Sequence, residues 1–324
     1  MKVLIVHHGA IPVHAYGGTE RVIWDLGRQL AAGGHTVRYL VPAGSRCDFG
    51  EVIALPPGGD WRSRVPADTD VVHLQFQPDG PVDRPHVVTE HGNPQVGVPL
   101  ARNTVFVSAN QAARHGSSAF VHNGLDWSAY GPVDFDRPRS AFHFLGKAAW
   151  RVKNVQGAID VARDAGVRLD VLGGTRLNLK RGFRFTWSPR VRFHGMVGGA
   201  EKFGLLGGSR GLILPVLWHE PFGLAVIESL YFGCPVFATP YGALPELVPA
   251  ACGVLSDSRA ALAEAVRTRR FDVRACHAHA AAHFGAPAMA ARYLAMYERV
   301  LAGEALNPVP PVLAEEARRL PWRA

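Results

Sequence analysis

Two carboxylates eight residues apart give this sequence its sharpest chemical signal. They stand in His219-Glu220-Pro221-Phe222-Gly223-Leu224-Ala225-Val226-Ile227-Glu228. An apolar run, Leu212–Pro215, precedes them, and the spacing predicts a helix over Leu224–Phe232. Glu220 then lies in the loop before the helix and Glu228 about two turns inside it. At ~3.6 residues per turn the two acids point to a similar side. Gly223 and Leu224 fall at the helix start, where backbone N–H groups lack partners within the helix and the positive dipole end attracts anions. Phosphate oxygens suit such a place, with a carboxylate on each side to accept hydrogen bonds from sugar hydroxyls. The plainer reading is a helix with one exposed acid and one capping acid.

The elements that must position this segment follow from periodicity. Val3–Val6 is a short apolar run, and a loop containing Gly17-Gly18 follows it. Thr19–Ala32 has helical spacing, with Val22, Ile23, Leu26 and Leu30 on one face, Thr19 as N-cap and Gly33-Gly34 as the stop. Thr36–Val41 is the next strand. This strand–loop–helix–strand order opens a doubly wound parallel sheet. Further strands are expected at Val71–Leu74, His86–Thr89, Thr104–Val107 and Ala119–Val121. The pattern restarts after residue 126, with strands at Phe142–Leu145, Arg168–Leu172, Val191–His194, Leu212–Pro215 and Val236–Ala238. Helices are expected at Gln156–Ala165, Ala200–Leu206, Leu224–Phe232, Arg259–Thr268 and Ala286–Leu301. The fold class is therefore α/β with two Rossmann-like domains. Residues 1–125 form the first, 126–286 the second, and 287–324 pack back on the first. Ligands in such sheets bind beyond the carboxyl ends of the strands.

Composition excludes several classes. With 48% hydrophobic and 19% charged residues the chain is neither disordered nor a coiled coil. Its longest apolar stretches are too short for a membrane span, and Met1–His8 is too soon interrupted for a signal peptide, so a cytoplasmic location is expected. Four scattered cysteines form no disulfide framework or zinc ribbon. The net charge is +8, and it is localised: residues 1–125 hold 10 basic and 10 acidic side chains, residues 126–286 hold 20 and 13. A nucleotide, a phospholipid surface or nucleic acid fits that excess, as does a basic surface with no partner. His277, His279 and His283 do not share one helical face and are discounted as a metal site.

The segment around Glu220 and Glu228 resembles the E-x7-E signature of family 4 of the retaining glycosyltransferases. Other short motifs agree in order. Gly17-Gly18-Thr19-Glu20 looks like the family's glycine loop, and Val121-His122-Asn123-Gly124-Leu125-Asp126 like its inter-domain segment, with His122 where proline is usual. Phe144-Leu145-Gly146-Lys147, followed by Lys153, looks like its phosphate clamp, with Lys147 where arginine is usual. Gly233-Cys234-Pro235-Val236 and Gly242-Ala243-Leu244-Pro245-Glu246-Leu247-Val248 match two further family segments. The likeness covers roughly residues 1–300.

That resemblance implies the GT-B architecture: two Rossmann-like domains facing a central cleft, with the last helix, Ala286–Leu301, crossing back to the N-terminal domain. It implies a hexosyltransferase-type enzyme that retains configuration by a same-face mechanism and needs no metal or other cofactor. The substrates are a nucleoside-diphosphate sugar, UDP favoured over GDP, and an unidentified acceptor hydroxyl. Residue by residue, it implies catalytic roles for Glu220, on the hydroxyls of the transferred sugar, for His91, positioning and polar, and for Lys153. It implies donor binding by Gly18, Lys147, Lys153, Phe222, Gly223, Leu224 and Glu228, with Glu228 on the ribose and the lysines on the diphosphate. Cations aimed at the leaving diphosphate stabilise the charge that develops there. A solvated side chain remains the plainer reading of each lysine, and a core or surface imidazole that of His91 and His73.

Arg176–Arg192 stands outside the family pattern. It interleaves Arg176, Lys180, Arg181, Arg184, Arg190 and Arg192 with Phe183, Phe185 and Trp187. This reads either as a peripheral contact with an anionic acceptor or the inner membrane face, through Arg176, Lys180, Arg181 and Arg184, or as a solvated loop with aromatics packed inward. Nucleic acid is the least favoured partner. The competing functions are another GT-B enzyme, such as a nucleotide-sugar epimerase or a phosphorylase, and a non-enzymatic anion- or RNA-binding protein.

Overall fold

Strand β1 (Lys2–Val6) is buried from Val3 onward because parallel strands flank it on both edges. Helix α1 (Gly18–Ala32) follows and buries Val22, Ile23, Leu26 and Leu30, the face given by their spacing. Strands β2 (Thr36–Pro42), β3 (Glu51–Leu55), β4 (Val71–Leu74), β5 (His86–Glu90) and β6 (Thr104–Phe106), then helix α2 (Ala109–Arg114), complete this part. The sheet order is β3-β2-β1-β4-β5-β6, all parallel. It is the doubly wound order, in which the chain reverses direction across the sheet beside β1.

The second part repeats the plan. It runs β7 (Ala141–Leu145), α3 (Val155–Asp164), β8 (Leu169–Leu172), β9 (Leu177–Asn178), β10 (Arg184–Phe185), β11 (Val191–Phe193), α4 (Gly199–Gly207) and β12 (Ser209–Leu214). Then come α5 (Leu224–Tyr231), β13 (Val236–Ala238), α6 (Leu244–Leu247), β14 (Gly253–Leu255), α7 (Arg259–Thr268) and α8 (Val273–His283). Its parallel sheet has the order β11-β8-β7-β12-β13-β14, and β9 and β10 form a separate antiparallel pair. Helix α9 (Ala286–Leu301) packs on α1 and β5 of the first part. The computed structural model describes residues 1–12, 18–178, 184–315 and 319–323, with the Arg184 side chain outside that description. Within it, residues 1–12, 18–127 and 284–315 form one unit, and residues 128–178, 184–283 and 319–323 the other.

Each unit buries a histidine network that ties helices to the sheet. In the first, His73 on β4 meets the Tyr297 hydroxyl through Nδ1 at 2.7 Å and the Thr89 hydroxyl through Nε2 at 2.7 Å. Thr89 in turn meets Tyr293 at 2.8 Å, so β4, β5 and α9 are joined by polar contacts within an apolar core. In the second, His143 on β7 bonds Ser209 of β12 at 2.6 Å and Ser229 of α5 at 2.8 Å. The Ser229 hydroxyl also donates to Ala225 O at 2.6 Å and the Ser209 hydroxyl reaches Ala141 O at 3.2 Å, so the imidazole, both serines and the backbone form one network.

Several expectations are corrected. Helix α1 begins at Gly18, so Thr19 is a helical residue rather than the cap. Ala119–Val121 contributes only an isolated bridge, Phe120 to Phe106, because no further strand is built beside β6 at that edge. Between Thr36–Val41 and Val71–Leu74, where the sequence marks no strand, lies β3, which pairs with β2 from Arg38 to Pro42. The end of the chain does not stay on the first unit. Asn307 is held there by Arg102 O and Thr104 O, but Leu320 N bonds Leu217 O and Arg323 pairs with Asp257, both in the second unit.

Candidate functional site

The loop between β12 and α5 carries Glu220, and three side-chain contacts define its place. Lys153 Nζ lies 2.8 and 2.7 Å from the two carboxylate oxygens, and Trp218 Nε1 donates to Oε2 at 2.8 Å. Glu220 is only 6% exposed, so an ionised carboxylate there requires this counter-charge. The Lys153 ammonium also sits 5.0 Å from the centre of the Trp218 ring, on a cation–π contact.

Local backbone chemistry fixes both partners. Lys153 ends a single 3-10 turn, Arg151–Lys153, and Asn154 follows at φ 53° in the left-handed region. Asn154 tolerates this because its side chain caps α3 by accepting from Gly157 N at 3.0 Å, while its amide donates to Pro215 O at 2.9 Å. Leu217 N bonds Val152 O at 2.7 Å, joining the lysine turn to the tryptophan loop. Behind Glu220, Gly242 at φ 64° lets a second loop approach so closely that a Cβ would lie 2.3 Å from Glu220 N and from Glu220 O. Ala243 N then bonds Glu220 O at 2.9 Å.

Glu228 lies inside α5 at 2% exposure. Its Oε1 accepts from the Tyr130 hydroxyl at 2.7 Å and from Lys202 Nζ of α4. Gly223 caps α5 at φ 112°, Leu224 opens the helix, and Phe222 is buried before them. Lys147 follows β7, with its ammonium 5.1 Å from the centre of the Trp150 ring; Trp150 meets Trp218 edge to face at 6.2 Å. The second unit therefore holds Lys147, Lys153, Glu220, Phe222, Gly223, Leu224 and Glu228, and each acid has its own lysine.

Gly18 and His91 belong to the first unit. Gly18 is the first residue of α1. His91 follows β5 and bonds Gln75 Oε1 through Nε2 at 2.7 Å. Burial first, then the neighbouring His7, pushes its pKa down to about 3, with Glu20 pulling the other way. The imidazole is neutral at pH 7, the form suited to hydrogen bonding. Glu20 and His7 approach to 3.8 Å, and this contact lowers the Glu20 pKa. Gln75 is buried, and its Nε2 has no hydrogen-bond partner among the described residues.

Other predicted groups go elsewhere. His73 is a core residue of the network above. His277 and His279 bond the backbone oxygens of Tyr231 and Leu247. The Arg176 guanidinium donates to Thr186 O and Ser188 O at 3.1 Å and to Val191 O, bracing the β9–β10 pair against β11. Lys180 and Arg181 lie outside the described residues, as does the Arg184 side chain. Trp187 is 85% exposed, against the inward packing of the alternative reading.

Sequence reasoning passed over Lys202, Tyr130, Trp218 and Gln75. A signal existed for Lys202: it shares a face of α4 with Leu206, four residues on, and a lysine on the buried face of a helix needs a partner. No periodicity marks Trp218, whose side chain matters through contacts made across loops.

Residues 135–269 match the family model described as glycosyl transferases group 1. Residues 135–269 are thus similar to a group 1 glycosyl transferase domain. That segment takes in Lys147, Lys153, Lys202, Glu220 and Glu228. A segment of 108 residues is 36% identical to the GDP-mannose-dependent alpha-(1-6)-phosphatidylinositol dimannoside mannosyltransferase of Mycobacterium tuberculosis; it spans 32% of this chain and 28% of the length of that relative. Among solved structures, a glycosyltransferase involved in avilamycin A biosynthesis is similar with a TM-score of 0.75 and 23% identity, over 93% of this chain and 98% of the other. The Anabaena protein HepE in complex with UDP and glucose is similar with a TM-score of 0.64 and 16% identity, over 92% and 99%. At these identities the two structures establish the fold, two Rossmann-like α/β units. Among the described residues, no helix is long and apolar enough to cross a membrane.

Proposed function

We propose that the chain is a retaining glycosyltransferase that moves a sugar from a nucleoside-diphosphate sugar to an acceptor hydroxyl without a metal ion. The observation that carries this reading is the buried Lys153–Glu220–Trp218 cluster within the segment similar to a transferase domain. Lys153 brings a fixed cation to the place where the diphosphate gains charge as it leaves. Glu220, anchored by Lys153 and Trp218, accepts from hydroxyls of the transferred sugar and orients it. Glu228 accepts from the ribose. His91 supplies a neutral imidazole for a sugar hydroxyl. No carboxylate is assigned as nucleophile, and the leaving phosphate oxygen takes the acceptor's proton in a same-face displacement.

On family grounds the donor base is uracil. A specific observation favours guanine as a second reading: the mannosyltransferase 36% identical over 108 residues is GDP-mannose-dependent by name. A thermal-shift panel of UDP, GDP, ADP and their sugar conjugates, with and without magnesium, separates the two. A ligand at about 100 times its dissociation constant adds about 2.7 kcal/mol of stability. A response to none of them, in either condition, overturns the donor-binding reading. The anomeric configuration of the product, read by NMR, tests retention.

Gly242→Ala is expected to damage this site without touching a ligand. The new methyl collides with the Glu220 backbone, and the left-handed conformation costs a further ~1–2 kcal/mol. Displacing Glu220 by about 1 Å should lower turnover about 100-fold. Turnover measured beside the melting temperature checks it: a wild-type rate in Gly242→Ala would show that Glu220 tolerates the shift.

A further inference from the structure

We infer that Lys202 and Tyr130 are positioning residues for nucleoside recognition, holding the Glu228 carboxylate ionised and aimed so that it accepts hydrogen bonds from the ribose hydroxyls of a nucleoside diphosphate. The inference rests on the donor-site reading above and adds to it the two side chains that make Glu228 competent.

Burial is the first ground. Glu228 is 2% exposed, Lys202 7% and Tyr130 8%. A carboxylate so far from water stays charged only beside a counter-ion, and Lys202 Nζ is that counter-ion. Aromatic rings wall the pair. The ammonium lies 5.7 Å from the centre of the Tyr130 ring and 5.5 Å from that of Phe203, and the two rings are 4.6 Å apart.

Geometry is the second ground. Tyr130 and Lys202 reach Glu228 from different elements, the turn Trp127–Tyr130 and helix α4, yet both donate to Oε1. Two donors on one oxygen fix the rotation of the carboxylate plane and so the direction of the other oxygen. A ribose diol needs an acceptor set in this way, since its hydroxyls offer two protons at a fixed spacing.

Energetics is the third ground. An apolar pair of similar volume would hold α4 against α5 at least as well, because a buried ion pair gains little over its desolvation cost. Packing alone therefore does not call for lysine facing glutamate here. Recognition of a hydroxyl-bearing ligand does.

The test compares UDP and GDP with their 2′,3′-dideoxy counterparts by calorimetry, on the wild-type chain and on Lys202→Met, Lys202→Arg and Tyr130→Phe. Wild type should bind the ribo form of its preferred nucleotide at least about tenfold more tightly than the dideoxy form. Lys202→Met and Tyr130→Phe should shrink that ratio to about threefold or less, while dideoxy affinity stays near the wild-type value. Lys202→Arg, which keeps the cation, should retain most of the ratio. Equal losses for both forms, or an unchanged ratio in Lys202→Met and Tyr130→Phe, would overturn the inference and leave the pair a structural contact. Should Lys202→Met fail to fold, Tyr130→Phe, which removes one hydroxyl, decides in the same terms. A wild-type chain that binds nucleotide without discriminating the dideoxy form overturns the ribose assignment. One that binds neither nucleotide in any form overturns the donor-site reading and this inference with it.

Discussion

Glu220→Gln should lower turnover by about 100-fold or more while nucleoside diphosphate affinity stays within about threefold. The structure makes glutamine the informative substitution. Alanine would leave the Lys153 ammonium, whose side chain is 17% exposed, facing an empty place, and breaking a buried pair in that way costs roughly 3–5 kcal/mol. Glutamine keeps the volume and an acceptor oxygen for Lys153 or Trp218 but removes the charge. If Glu220 orients the transferred sugar, its effect appears in the transition state and hence in kcat. The nucleotide is held by other groups, so its dissociation constant should hardly move. Steady-state kinetics beside calorimetry with UDP and GDP distinguish the two. A fall in affinity equal to the fall in turnover would mean that Glu220 binds the nucleotide, and the assignment would fail.

Acid should destabilise the chain from pH 7 downwards, above the ordinary range of carboxylate titration. Burial pushes the imidazoles of His73, His91 and His143 down to about 3 from an ordinary value of 6.5. A base with a depressed folded-state pKa binds fewer protons folded than unfolded in the interval between the two values. Its stabilising contribution is complete above about pH 6.5 and drains away as the pH falls towards 3. At pH 4 each histidine withdraws on the order of 3 kcal/mol relative to pH 7, a large part of an ordinary folding free energy.

Asp25 works in the opposite direction. Desolvation raises its pKa to about 6 against the opposing hydrogen bond it accepts from Asp126 N, so the folded chain gains protons ahead of the unfolded one as the pH falls from 7 to 4. That offset is about 2 kcal/mol and is confined to the first unit, where two of the three histidines lie. The histidines win in both units. Denaturation midpoints in urea should decline steadily from pH 7 to pH 4, and Asp25→Asn should steepen the decline for the first unit while stabilising it at pH 8. A midpoint flat across this range would show that the imidazoles are not neutral in the fold.

Much of the candidate site was legible because it is local. The Glu220–Glu228 spacing, the glycine before α5 and the apolar run of β12 lie within one stretch of chain, where helix geometry and backbone conformation are set by neighbours in sequence. The two parallel sheets were legible for a similar reason: short apolar runs alternating with helical faces leave few other ways to bury both sides of a strand. Helix Ala286–Leu301 was bounded correctly by its apolar period. Strand β3 was missed because Glu51–Leu55 sits at a sheet edge, half exposed, and has no buried run to mark it.

By itself, then, the sequence determined the fold class and the repeat of one α/β plan in two units, and it marked Glu220, Glu228, Lys147, Lys153 and the glycines of the candidate site. Only the tertiary structure decided who partners them. Lys153 and Glu220 are 67 residues apart, Lys202 and Glu228 are 26 apart, and Tyr130 and Glu228 are 98 apart. Arg176, countable as a charge in the sequence, also donates to backbone oxygens of Thr186 and Ser188. Charge is a property of a residue and can be counted in a sequence. The energy of a charge depends on its burial and its partners, and those are fixed only when distant segments pack together.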